Sequence, residues 1–103
     1  MKKRKPTYQT EQITFLKPII DLDKNDEPVT KWEDGDMLWA RIFPLKMTEV
    51  LHYYVFFEGR TVEWVTPFKA IRWNNKILDI ISCMSWNARN GTWIDLLTRE
   101  RNG

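Results

Sequence analysis

His52 and Cys83 are the only histidine and cysteine in the 103-residue chain. A thiol nucleophile would need that histidine as its base, yet nothing in their spacing joins them, and a thiol in an apolar run is ordinarily inert packing. Metal ligation needs paired Cys or His at short spacing, and phosphate cradling needs a glycine-rich loop; the chain has neither. Carboxylates such as Asp34, Asp36 and Glu63 lie in charged stretches of the kind that water solvates. The residue types therefore imply a non-enzyme: a binding module with no catalytic residues, no metal and no cofactor.

Aromatic side chains are the stronger signal. Six tryptophans in this length cannot all be fully buried, so some indole surface is left for contact. Trp39 and Phe43 on one segment, Tyr54 or Phe57 on the next and Trp64 on a third could converge as an aromatic pocket. Several ring faces around one cation attract it by ~0.5–2 kcal/mol per contact. Asp36, Glu58 and Glu63 would form an acidic rim favouring the same cation. Lys69, Arg72 and Lys76 make a basic cluster that, with exposed tryptophans, could hold single-stranded nucleic acid by stacking and phosphate contact.

The charge distribution limits that last reading. The net charge is +2, but Lys2, Lys3, Arg4 and Lys5 alone supply +4, so the rest of the chain is acidic at −2. A face neutralising many phosphates is not expected from such a body. Residues 1–11 are polar, without periodicity, and read as a disordered basic arm; residues 12–103 form a single domain. The K/R-rich arm fits a nuclear import signal, with the cytoplasm as the other expected location. The lone cysteine agrees with a reducing compartment, the N-terminus lacks a secretory h-region, and no apolar run is long enough to span a membrane.

Positioning these residues falls to a central stretch, Gly35 to Trp73. Gly35-Asp36 reads as a turn, followed by MLWARIF, VLHYYVFF and, after Glu58-Gly59-Arg60, TVEWV: three alternating segments of a β-meander. In the first, Leu38, Ala40 and Ile42 form the uniformly apolar face and point to the core, leaving Trp39 on the open face. In the second, Leu51, Tyr53, Val55 and Phe57 alternate with His52, Tyr54 and Phe56, and aromatic mass on both faces suits a small barrel. Upstream, Ile13–Leu22 is apolar but carries Pro18, which restricts it to an edge strand, and residues 23–31 form a loop. Downstream, Ile77, Ile80, Ile81 and Met84 follow helical spacing, with Asn74 or Asn75 as N-cap. After Asn87 to Gly91, Thr92 and Asp95 resemble a capping box opening a second helix. The expected architecture is mainly β with C-terminal helices: a small Tudor/SH3-like barrel over residues 33–73, covered by two short α-helices.

The segments GDMLWARI, YYVFFEGRTVEWV and TPF resemble the strands of PWWP domains, and more broadly of the Tudor-containing Royal superfamily. The Pro-Trp-Trp-Pro segment itself is missing; Phe43-Pro44-Leu45-Lys46 stands in its place. The resemblance implies a chromatin-associated nuclear domain that binds a methyl-lysine peptide of a histone tail, with DNA phosphates alongside. By position it implies Ile42 and Phe57 as cage walls, Phe43 or Trp39 replacing the lost tryptophan, and Lys46, Lys69 and Arg72 at the phosphates. Two alternatives stand beside it: a small viral or accessory protein-interaction factor docking on a larger protein, and the single-strand binder.

Overall fold

A computed structural model of the chain describes residues 10–45, 51–88 and 91–101. Its strands are β1 (Glu11–Leu22), β2 (Pro28–Leu45), β3 (His52–Glu58), β4 (Ala70–Trp73), β5 (Lys76–Ala88) and β6 (Gly91–Glu100), with a single turn of helix, α1 (Val62–Val65), between β3 and β4. All pairings are antiparallel, and the strands close into a barrel in the order β1-β2-β3-β6-β5-β4.

Alternation along each strand decides what fills the lumen. Ile13 and Phe15 from β1, Ala40 from β2, Tyr53, Val55 and Phe57 from β3, Ile71 from β4, Leu78 from β5 and Ile94 and Leu96 from β6 form one buried cluster. Leu38 and Ile42 pack against it, so the inward face expected for β2 is the observed one. Phe15 is the centre of the aromatic part. Its ring lies 5.5 Å from Phe57, 5.0 Å from Trp64 and 5.3 Å from Phe68, mostly edge-on. The one buried polar side chain of β6, Thr98, is satisfied: its hydroxyl donates to the Tyr53 carbonyl at 3.0 Å.

Four expectations are corrected. The two C-terminal helices are the strands β5 and β6, so the barrel is not confined to residues 33–73 but is closed by strands from Glu11 to Glu100. In β5 the residue pairing slips between Ile80 and Ser82, so that Ile81 is an extra residue and the inward phase changes from Leu78 and Ile80 to Cys83. A bulge inside an apolar strand thus produced the 3–4 spacing of a helix. Asn74-Asn75 is no N-cap but the two-residue loop of the β4–β5 hairpin. Both residues have positive φ, 53° and 63°, a conformation asparagine tolerates.

TVEWV, expected as a strand, contains α1. The Thr61 hydroxyl accepts the Trp64 N–H at 3.1 Å and caps it. Gly35-Asp36 is no turn. It lies inside β2, where Thr14 and Leu16, two residues apart, face Met37 and Asp34, three apart.

β1 and β2 outrun the barrel. β4 covers β1 only at Thr14–Leu16, and β3 covers β2 only at Arg41–Leu45. From Lys17 to Glu33 the chain is a two-stranded ribbon, pairing Pro18 with Trp32, Ile20 with Thr30 and Leu22 with Pro28. Pro18 survives there because no third strand needs its missing N–H. The ribbon gives the molecule its length, 55 Å against 30 Å in the other two directions.

Candidate functional site

The aromatic residues expected to converge are distributed over three places. Trp39 and Phe43 point outward from β2 and are exposed. Phe57 and Ile42 point into the barrel, Phe57 fully buried. Trp64 sits on α1 over the end of the lumen, packed on Phe15 and Phe68, with the Arg60 guanidinium 5.0 Å above its ring. Phe57 and Trp64 meet edge-on with ring centroids 6.5 Å apart, while Trp39 and Phe43 are on the opposite face of the sheet from Phe57. The rim carboxylates are likewise separated: Asp36 in the middle of β2, Glu58 at the end of β3 and Glu63 on α1, all exposed.

Among the expected phosphate contacts, Arg72 is engaged with Asp34 through two hydrogen bonds of 3.0 Å, which hold the Asp34 carboxyl below the usual carboxylate range. Lys76 lies 5.8 Å from the Trp73 ring, and Lys69 is exposed beside the loop leaving α1. Lys46 and the basic run Lys2–Lys5 lie outside the described residues. His52 and Cys83 are separated by the whole of β6 and by three residues of register, His52 facing Arg99 and Cys83 facing Leu96. Burial, then the charge of Asp95, pushes the Cys83 thiol up, away from reactive thiolate. Among the described residues no group of three His, Cys, Asp or Glu could hold a metal ion.

Two apolar surfaces do emerge. One is a face of the ribbon. Opposed residues share a side, so Pro18, Ile20, Leu22, Pro28 and Trp32 fall together with Thr30, while Lys17, Asp21, Lys31 and Glu33 take the other side with Ile19 and Val29, Lys31 being bridged to Asp21 at 3.2 Å. Ile20 is 67% exposed and Leu22 58%. At the ribbon's root Trp32 is covered by the Arg101 guanidinium, 4.9 Å away, which is itself bound to Asp79 of β5. The arm is therefore tied to the barrel at one end and bare at the other.

The second is the outer wall of β2, β3, β6 and β5. Phe43 and Phe56 are 5.5 Å apart, Tyr54 stacks on Phe56 at 5.9 Å, and Trp86 stacks on Trp93 at 5.9 Å, with Arg41 5.6 Å over the Trp93 ring. Outward alternation in the sequence carries this wall, but the helical spacing in the segments supplying Met84, Trp86 and Trp93, which are strands, hides it. The signal that discloses it is the period of two over Ile94, Leu96 and Thr98, all inward.

The fold is thus a closed six-stranded antiparallel barrel with a projecting hairpin. No protein-family model matches the chain, and no curated protein does. Solved structures share the fold. A chain of the virion of a native gene transfer agent particle superposes with a TM-score of 0.64 at 13% identity, covering 93% of this chain and 99% of that one. Protein SF1141 from Shigella flexneri 2a gives 0.63 at 19% identity, covering 87% and 90%. Neither is described as a PWWP or Tudor domain.

Proposed function

We propose that the chain is a non-catalytic docking protein, a building block of a virion-like particle that attaches to neighbouring protein through its β1–β2 arm. The observation that carries this reading is the bare apolar side of the ribbon, Ile20 and Leu22 above all. An isolated two-stranded hairpin is marginal in water, and one with an exposed apolar side gains stability when a partner covers it. A fold shared with a gene transfer agent virion chain over nearly the full length of both supports the particle context. The reading takes up the interaction-factor alternative and sets it above the methyl-lysine cage, which needs several rings around one cation, whereas these rings are divided between lumen, outer wall and barrel end.

The experiment is incorporation. Nuclease-treated particles from the source cells, separated on a density gradient, are expected to contain the chain in fixed stoichiometry. The double variant Ile20→Asp, Leu22→Asp is expected to fold with an unchanged melting temperature and to be lost from the particle fraction. Wild-type protein absent from particles, or a variant incorporated normally, would overturn the proposal.

A further inference from the structure

On the outer wall, away from the arm, a carboxylate sits among apolar side chains. Asp95 points outward from β6 between Phe56 of β3 and Met84 of β5, its cross-strand partners, and between Trp93 and Leu97 along its own strand. All four flanking side chains are apolar. Its Oδ1 is buried and has no hydrogen-bond partner. A shielded carboxylate oxygen left without a donor costs free energy that an apolar residue at the same position would not. Burial accordingly raises its pKa. The surrounding wall is open: Met84 is 63% exposed and Trp86 48%.

We infer that this wall is a docking site for a partner protein segment bearing an arginine or lysine flanked by apolar side chains, the cation pairing with Asp95. Three properties select that chemistry. A cation laid on the wall offsets the shielded charge by pairing with the Asp95 carboxylate, and a charge-assisted pair is the strongest polar contact available to it. The flanks, Phe56, Met84, Leu97 and the Trp86–Trp93 stack, offer apolar contact to its neighbours and ring faces to a guanidinium. The wall already holds one guanidinium in this way, Arg41 over Trp93. Nucleic acid fits poorly, because Asp95 sits where a phosphate would approach and repels it.

The inference supplies a partner chemistry within the docking reading but uses a different surface, so either can fail alone. The probe is a peptide with one central arginine between leucines, compared with the same peptide carrying citrulline, which keeps shape and loses charge. Binding is followed by NMR at the Trp86 and Trp93 indole N–H groups and the Asp95 carboxyl carbon. The arginine peptide is expected to shift all three signals and to bind about tenfold more tightly than the citrulline peptide. Asp95→Asn should erase that difference, and Met84→Arg, which places a cation opposite Asp95 within the chain, should block the peptide. Equal binding of both peptides, shifts confined to the Trp32 indole, or no shift at millimolar peptide would overturn the inference. So would an oligothymidylate that bound this wall in place of the peptide. None of these outcomes bears on arm-dependent incorporation into particles.

Discussion

Gly35→Ala isolates the reason for a glycine in the middle of β2. Its φ is not among the positive values, so alanine meets no backbone penalty there. The obstacle is space. An added Cβ would lie 2.5 Å from Cε1 and 2.9 Å from Cζ of Phe68, and 3.3 Å from the Phe15 carbonyl oxygen. The Phe68 ring must move, yet it is held between Phe15 at 5.3 Å and Trp64 at 5.1 Å, so relief at one contact is loss at another. Overpacking of this kind costs about 1–3 kcal/mol, which for a chain this size lowers the melting temperature by roughly 5–20 °C. Urea unfolding followed by tryptophan fluorescence measures it. Phe68→Leu alone loses ring contacts and destabilises, but in the Gly35→Ala background it removes the clash, so the double-mutant cycle should show a coupling of at least ~0.5 kcal/mol. A neutral Gly35→Ala, or two strictly additive effects, would refute the close-packing account.

Removing the α1 cap with Thr61→Ala should cost about 1 kcal/mol in the same urea assay, because the Trp64 N–H then loses its acceptor. At the β4–β5 turn Asn75→Gly should be tolerated, while Asn75→Val should cost on the order of 1–2 kcal/mol, since a β-branched residue resists positive φ. For Asp95 the folded carboxyl titrates above the ordinary aspartate value, so the fold binds the proton more tightly than the unfolded chain does. Stability should therefore fall as pH rises from the ordinary value through the raised one; Asp95→Asn should flatten that decline and raise the melting temperature at pH 7, and a wild-type profile unchanged by the substitution would contradict it.

The barrel core was legible from alternation alone. Leu38, Ala40 and Ile42 on β2, and Tyr53, Val55 and Phe57 on β3, face inward as their period of two requires. What misled was local irregularity. The extra residue at Ile81 broke the period in β5, and the helical spacing of Ile77, Ile80, Ile81 and Met84 followed from the break. Thr92 and Asp95 matched a cap by type, although Ile94, Leu96 and Thr98 already carried the strand period. The aromatic residues expected to share a pocket are brought together only in part. Phe57 and Trp64 do meet, 6.5 Å apart at the end of the lumen, but Trp39 and Phe43 lie on the outward face of β2, across the sheet from Phe57. β3 pairs with β6, far along the chain, a contact that no local pattern encodes.

The pleat also separates what holds the protein together from what it presents. On β3 the odd positions Tyr53, Val55 and Phe57 fill the lumen, while Tyr54 and Phe56 face out; on β6 Ile94, Leu96 and Thr98 are inside, and Trp93, Asp95 and Leu97 outside. Truncating an inward residue opens a cavity in the packed lumen and costs a few kcal/mol. Truncating an outward one removes only contacts along the outer wall, so its effect on folding should be smaller, and under the docking proposal its effect on binding should be the larger one. Along these two strands, stability and binding should therefore alternate residue by residue. The ribbon beyond Leu16 and Asp34 lacks this division, because neither of its sides covers a lumen. Its more apolar side, Pro18, Ile20 and Leu22, has no role in closing the barrel, so the proposed arm docking predicts that polar substitutions there change incorporation and leave the melting temperature unchanged.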